Sequence, residues 1–129
     1  MYRFRAVLGI VTGGFLLLSS GAHSILGWKA LGAELSEAAL PAELMTSVKI
    51  GWQFGGVAMF GFGCVTILLF TALLRKRRVS LQPALIIGLL YSVFATWALV
   101  SSNADPFFLI FLIPGITLIA CSWPQGASQ

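Results

Sequence analysis

Residues 51–78, GWQFGGVAMFGFGCVTILLFTALLRKRR, run for 24 positions without a charged side chain and then meet four cations in a row. An apolar run of this length covers the hydrocarbon core of a bilayer, which takes about 20 helical residues. The switch to RKRR marks where such a helix leaves the lipid, since a cation is costly in hydrocarbon and tolerated at its surface. The rest of the chain has the same character. Of its 129 residues, 58% are hydrophobic and 9% charged, against roughly 25% charged in soluble domains. That leaves too little polar surface to cover a globule in water. The chain therefore reads as a single membrane domain, residues 1–129.

Working outward, four spans are expected, at about 6–26, 50–74, 81–101 and 106–123. Ser80 is a natural cap for the third, with Pro83 in its first turn. Asp105 before Pro106 starts the fourth. Only SNAD, residues 102–105, joins these two, so they are antiparallel neighbours. The fold class that follows is an all-α integral membrane protein, an antiparallel four-transmembrane-helix bundle. Pro114 lies inside the fourth span and frees the carbonyl of Ile110, which predicts a kink.

The net charge of +4 becomes a topology signal once its charges are placed. Arg3, Arg5, Arg75, Lys76, Arg77 and Arg78 fall on one side, and Lys29 and Lys49 on the other. All four acids, Glu34, Glu37, Glu43 and Asp105, share the second side. This places both termini and the basic turn 75–80 in the cytoplasm, in the cytoplasmic (inner) membrane of a bacterium. Arg75 to Arg78 are placed to meet lipid headgroups, and nucleic acid is not an expected partner. A signal peptide is the alternative for the N-terminus, with MYRFR before an apolar stretch and Ser20-Gly21-Ala22 as a cleavage site. Because Ile25, Leu26 and Trp28 extend the run to spanning length, a retained helix is expected.

The outer segment 27–49 has Leu31, Leu35, Ala38 and Ala39 at helical spacing, with Pro41 breaking the pattern. It is expected to form a short amphipathic helix lying on the membrane or capping the bundle, with a further turn over 42–48. Trp28 and Trp52 bracket it as interfacial anchors, and Trp123 marks the opposite interface.

Lipid does not sort helix faces by hydrophobicity, so small and weakly polar residues mark the faces that meet protein. In the first span Gly9, Thr12, Gly13, Leu16, Ser19, Ser20, His23 and Gly27 form one such stripe. His23, the only histidine, thus faces the bundle near its outer end. In the second span Gly51, Gly55, Ala58 and Phe62 share a face, and Gly56 and Gly63 lie well round from it, which predicts a central helix contacted from several sides. Gln53, Val57, Phe60, Cys64 and Thr71 make a third stripe there. In the third, Ala84, Gly88, Tyr91, Ala95 and Ser102 align, and the Tyr91 hydroxyl at mid-membrane needs a partner. Gly9, Gly13, Ser20, Gly51, Gly55 and Gly88 are the expected packing positions, in GxxxG spacing within the first two spans.

No span carries Asp, Glu, Lys or Arg away from its ends, the kind of residue on which ion-coupled transport rests. One histidine cannot supply the three or four ligands of a metalloenzyme. No GxSxG, HExxH or P-loop occurs. Cys64 and Cys121 lie in apolar runs and form no CxxC, and read as small hydrophobes. The leading expectation is a non-enzymatic accessory, assembly or structural subunit without a cofactor. Its partners would be the bilayer, another copy or a larger membrane complex. A second reading is a binder of an apolar ligand (quinone, lipid or haem) at the outer end, where His23, Trp28, Trp52 and Gln53 meet, with Tyr91 as a further polar group. A third is a passive small-solute transporter with a path along Gln53, Thr71, Tyr91, Ser92 and Thr96.

Overall fold

The computed structural model describes residues 2–123. Met1 and the tail 124–129, the ends of the two termini expected in the cytoplasm, lie outside the described residues. Among the described residues the chain is helical throughout, with no strand. Helix α1, Tyr2–Ala22, passes through a five-residue π-helical segment, His23–Gly27, directly into α2, Trp28–Glu37. Helix α3 spans Ala42–Leu74 and α4 spans Gln82–Ser101. A single 3₁₀ turn, Pro106–Phe108, leads into α5, Leu109–Ser122. Three helical stretches, Tyr2–Glu37, Ala42–Leu74 and Gln82–Ser101, are long and apolar enough to cross a membrane, and Pro106–Ser122 is a shorter apolar helix.

The outer segment differs from expectation. It is not a separate helix resting on a surface. WKALGAELSE consists mostly of good helix formers, and nothing before Ala38 breaks the helix, so α1 continues as a rod of 36 residues. The break comes at residues 38–41, where Ala39 takes a left-handed conformation (φ 50°) and Pro41 occupies the position before α3. Glu43 in the first turn of α3 suits the positive end of the helix dipole. Helix α3 therefore starts eight residues earlier than the apolar run suggested and has 33 residues. At a rise of about 1.5 Å per residue the two rods are roughly 54 and 50 Å long, and α4 roughly 30 Å.

The basic turn closes α3 with two reverse hydrogen bonds. Lys76 N–H donates to Leu73 O and Arg77 N–H to Ala72 O, with Lys76 left-handed (φ 57°). Leu81, and not Ser80, holds the cap position of α4, with Ser80 Oγ one residue earlier accepting from Gln82 N–H at 3.3 Å, while Asp105 caps the 3₁₀ turn through Oδ1, which accepts from Phe107 N–H at 2.9 Å.

The helices pair as two antiparallel hairpins, α1 with α3 and α4 with α5, which meet through α1 on α5 and α3 on α4. Each hairpin is closed by glycine. A Cβ on Gly13 would lie 3.1 Å from Gly63 O, and one on Gly63 3.0 Å from Gly13 O. Gly88 and Gly115 face each other in the same way across α4 and α5, and the Phe70 ring fills the space left by Gly9. Gly51 meets no partner within this chain: outside its own helix backbone and neighbouring residues nothing lies within 4 Å of the Cβ it lacks, and Gly61 is equally open. Helix α3 is thus packed chiefly along its Gly56–Met59–Gly63–Thr66–Phe70 side and is not enclosed on several faces. The buried core is formed by Leu16, Met59, Phe70, Ala84, Ile87, Tyr91, Leu118 and Cys121.

Candidate functional site

The π segment gives the end of the bundle opposite the RKRR turn its character. Inserting i→i+5 geometry into an α-helix perturbs the regular ladder of carbonyls, and such segments recur at functional sites. Here two of its carbonyls are taken by α3 side chains. Trp52 Nε1–H donates to His23 O at 2.8 Å, and Gln53 Nε2–H donates to Ser24 O at 3.0 Å. The His23 ring stacks on the Trp52 ring, with centroids 4.2 Å apart and planes 9° from parallel. His23 Nε2 lies 3.0 Å from Trp52 O. A carbonyl only accepts, so Nε2 is the donor of this bond. One turn below, Ser20 Oγ–H donates to Gly56 O at 2.8 Å.

These contacts require the small residues beside them. A Cβ on Gly56 would collide with Ser24 Oγ, and one on Gly55 would stand 3.2 Å from His23 Nε2. HSILG and WQFGG thus interlock as a clasp between α1 and α3. Of the residues expected to form an outer ligand cluster, His23, Trp52 and Gln53 come together in this clasp. Trp28 does not. Its ring lies under Lys49 Nζ, 5.8 Å from the centroid, and against Gly32. The clasp leaves His23 Nε2 committed to a backbone carbonyl, and among the described residues no group of three or more His, Cys, Asp or Glu could hold a metal.

Below the clasp the contact between the two hairpins is looser. Each is drawn tight by glycine, and Phe15, Phe94, Phe107 and Phe111 line the spaces between them. Two cavities result, one of about 250 Å³ between α1 and α5 and one of about 420 Å³ between α3 and α4. Four residues line both, one from each arm of the bundle: His23, Met59, Tyr91 and Phe111. Tyr91 is 6% exposed, and its hydroxyl oxygen is buried without a hydrogen-bond partner among the described residues. Phe62 and Phe111 flank its ring at 6.2 and 6.1 Å between centroids.

The polar residues considered for a transport path are not brought together. Gln53 belongs to the clasp, and the hydroxyls of Ser92 and Thr96 donate to carbonyls of their own helix, Gly88 O and Ser92 O. Ser92 Oγ abuts Gly115 in the α4/α5 contact, whereas Thr96 is exposed on the outside of α4. Thr71 is half-buried near the opposite end of α3. Both cysteines are free. At the basic end, Arg75 to Arg78 are all exposed.

Arg5 has a role that the charge pattern did not reveal. Its guanidinium reaches Cys121 O from Nε at 3.0 Å and from Nη2 at 2.6 Å, and Trp123 O at 3.1 Å. A cation there meets the negative end of the α5 dipole and takes up carbonyls that the helix leaves unpaired. The available signal was an arginine one turn into the first helix, on the same side as the end of the last.

No protein-family model matches the chain, and no curated protein and no solved structure matches it.

Proposed function

We propose that this chain is a non-enzymatic, multi-pass inner-membrane protein that acts as an accessory or assembly subunit and engages its partner through the outer end of the α1/α3 hairpin. In this reading all four apolar helices span the bilayer, with the termini and the RKRR turn on the cytoplasmic side, as the lysine and arginine distribution requires.

One observation carries the proposal: the two hairpins differ in length. The cavity between α1 and α5 is lined by Leu26 and Gly27 together with Phe107, so the α4–α5 turn lies at the level of Gly27. Helix α2 and the first turns of α3 continue beyond that level, by about 15 Å for ten residues. A bundle of roughly 30 Å already matches the hydrocarbon thickness, and the extra length stands clear of it. This extension is a bare helix pair. Leu31, Leu35, Met45 and Val48 are only half-buried along its seam, Leu44 is exposed, and Lys29, Glu34, Glu37, Glu43 and Lys49 surround them. An apolar strip rimmed by mixed charge suits a surface that docks on the extramembrane face of another membrane subunit.

The test is native mass spectrometry and cross-linking after purification in mild detergent. The full chain is expected to carry a stoichiometric partner, and a variant with residues 30–47 replaced by a short turn is expected to lose it while the bundle stays folded. A full-length protein that is only an isolated monomer would refute the proposal.

A further inference from the structure

We infer that the end of the bundle carrying the RKRR turn is a docking surface for anionic phospholipid, whose phosphate meets the cations while its acyl chains lie against the apolar ends of α1 and α3. The inference rests on the chain being embedded in a bilayer and is independent of the docking role of the outer hairpin.

Two parts of the chain bring their cations together here. Phe70 fills the space left by Gly9, and six residues further out along each antiparallel strand of the hairpin Arg3 comes close to the level of Lys76. Arg3 Nε–H donates to the Tyr2 hydroxyl at 3.4 Å, and that hydroxyl lies within electrostatic reach of Lys76. Arg3, Arg75, Lys76, Arg77 and Arg78 are all exposed. No acidic side chain is at hand to neutralise them, because Glu34, Glu37 and Glu43 lie in the outer extension and Asp105 in the α4–α5 turn, at the other end of the bundle. The negative end of the α3 dipole offsets only about half a charge. The sixth cation of this end, Arg5, is already bound to the carbonyls of Cys121 and Trp123. Four of the five free cations are arginines, whose planar fork matches two oxygens of one phosphate.

The geometry favours a lipid over a soluble anion. The basic turn does not project as an arm. Lys76 N–H donates to Leu73 O and Arg77 N–H to Ala72 O, which folds the turn back onto the end of α3, and α4 starts again at Gln82. The cations are thereby held at the level where the helix leaves its apolar run. Directly beside them Phe4 is 73% exposed on α1 and Leu74 is 36% exposed on α3. An anion carried on apolar chains satisfies both surfaces, whereas an acidic polypeptide would meet the cations and leave the apolar side chains uncovered.

The experiment titrates the purified full-length protein in a mild neutral detergent with phosphatidylglycerol and with phosphatidylcholine of the same acyl chains, and counts bound lipids by native mass spectrometry. Each cation at a membrane surface strengthens binding of an anionic lipid about fivefold, so engagement of two should favour phosphatidylglycerol about 25-fold at low salt. Raising the ionic strength from roughly 0.01 to 1 M should remove most of that preference. Arg77→Gln with Arg78→Gln keeps the backbone bonds of the turn and should lower the preference about fivefold or more. Lys29→Gln with Lys49→Gln, the same loss of charge at the opposite end, should leave it unchanged, as should replacement of residues 30–47, which separates this outcome from that of the partner test. Equal binding of the two lipids, a preference indifferent to salt, or an equal loss from both pairs of substitutions would overturn the site. Displacement of the lipid by a polyglutamate peptide would overturn the lipid as its occupant in favour of an acidic polypeptide.

Discussion

The same substitution, glycine to alanine, should have opposite signs at two places in this bundle. At Gly88 a new Cβ would stand 2.9 Å from Gly115 O, 3.0 Å from Ile119 N and 3.0 Å from Leu118 Cβ. Two of these are backbone atoms of α5, which no rotamer change can move. Restoring an ordinary contact requires α4 and α5 to part by about half an ångström, and overpacking of this kind costs about 1–3 kcal/mol. At Gly61 nothing lies within 4 Å of the position. There the methyl meets no obstacle, and the lower backbone entropy of alanine stabilises the helix by roughly 0.5–1 kcal/mol. The two variants should therefore differ by about 1.5–4 kcal/mol, or from tenfold to several hundredfold in the folding equilibrium. Reversible unfolding in mixed micelles, followed by far-ultraviolet circular dichroism, measures both. Gly14→Ala, also open, serves as a second control on α1. If Gly88→Ala and Gly61→Ala shifted stability by equal amounts in the same direction, close backbone approach would not be the reason glycine occupies position 88.

Two other contacts can be tested by the same unfolding measurement. Gln53→Leu removes the donor to Ser24 O and should cost about 1 kcal/mol, while Trp52→Phe loses both the bond to His23 O and part of the stack, about 1–3 kcal/mol. Both hold the π segment, so the double variant should depart from additivity, and strict additivity would mean that the two act separately. Arg5→Lys keeps the charge but not the planar fork that reaches Cys121 O and Trp123 O, and is expected to lose about 1–2 kcal/mol. A neutral Arg5→Lys would show that charge near the α5 terminus is sufficient.

Helix periodicity and apolar length indicate the apolar helices, and Ser80 and Asp105 lie close to the starts of the last two. The stripe through Gly9, Thr12, Gly13, Leu16 and Ser20 is the buried face of α1. These features depend on residues within a few turns of each other, and helical geometry converts such spacing into a face. The continuity of α1 with α2 was also present locally, in the absence of a breaker before Ala38. The fall in hydropathy after Trp28 marks a change in the surroundings of the helix and not its end.

What the sequence by itself determined is a set of apolar helices, their approximate extents, and which side of each carries small residues. The tertiary structure alone decided the pairings. Gly13 meets Gly63 and Gly88 meets Gly115, while Gly51, alike in composition and spacing, meets no partner within this chain. His23 stacks on Trp52 and not on Trp28, and Arg5 closes a helix 116 residues away. Tyr91 is left buried between the two hairpins, its ring beside Phe62 and Phe111 and its hydroxyl without a partner among the described residues. The physical reason is that periodicity specifies the direction in which a side chain points, whereas its partner depends on the register between helices far apart in the chain. That register follows from the summed fit of glycines against backbone and rings against gaps, which no single segment contains.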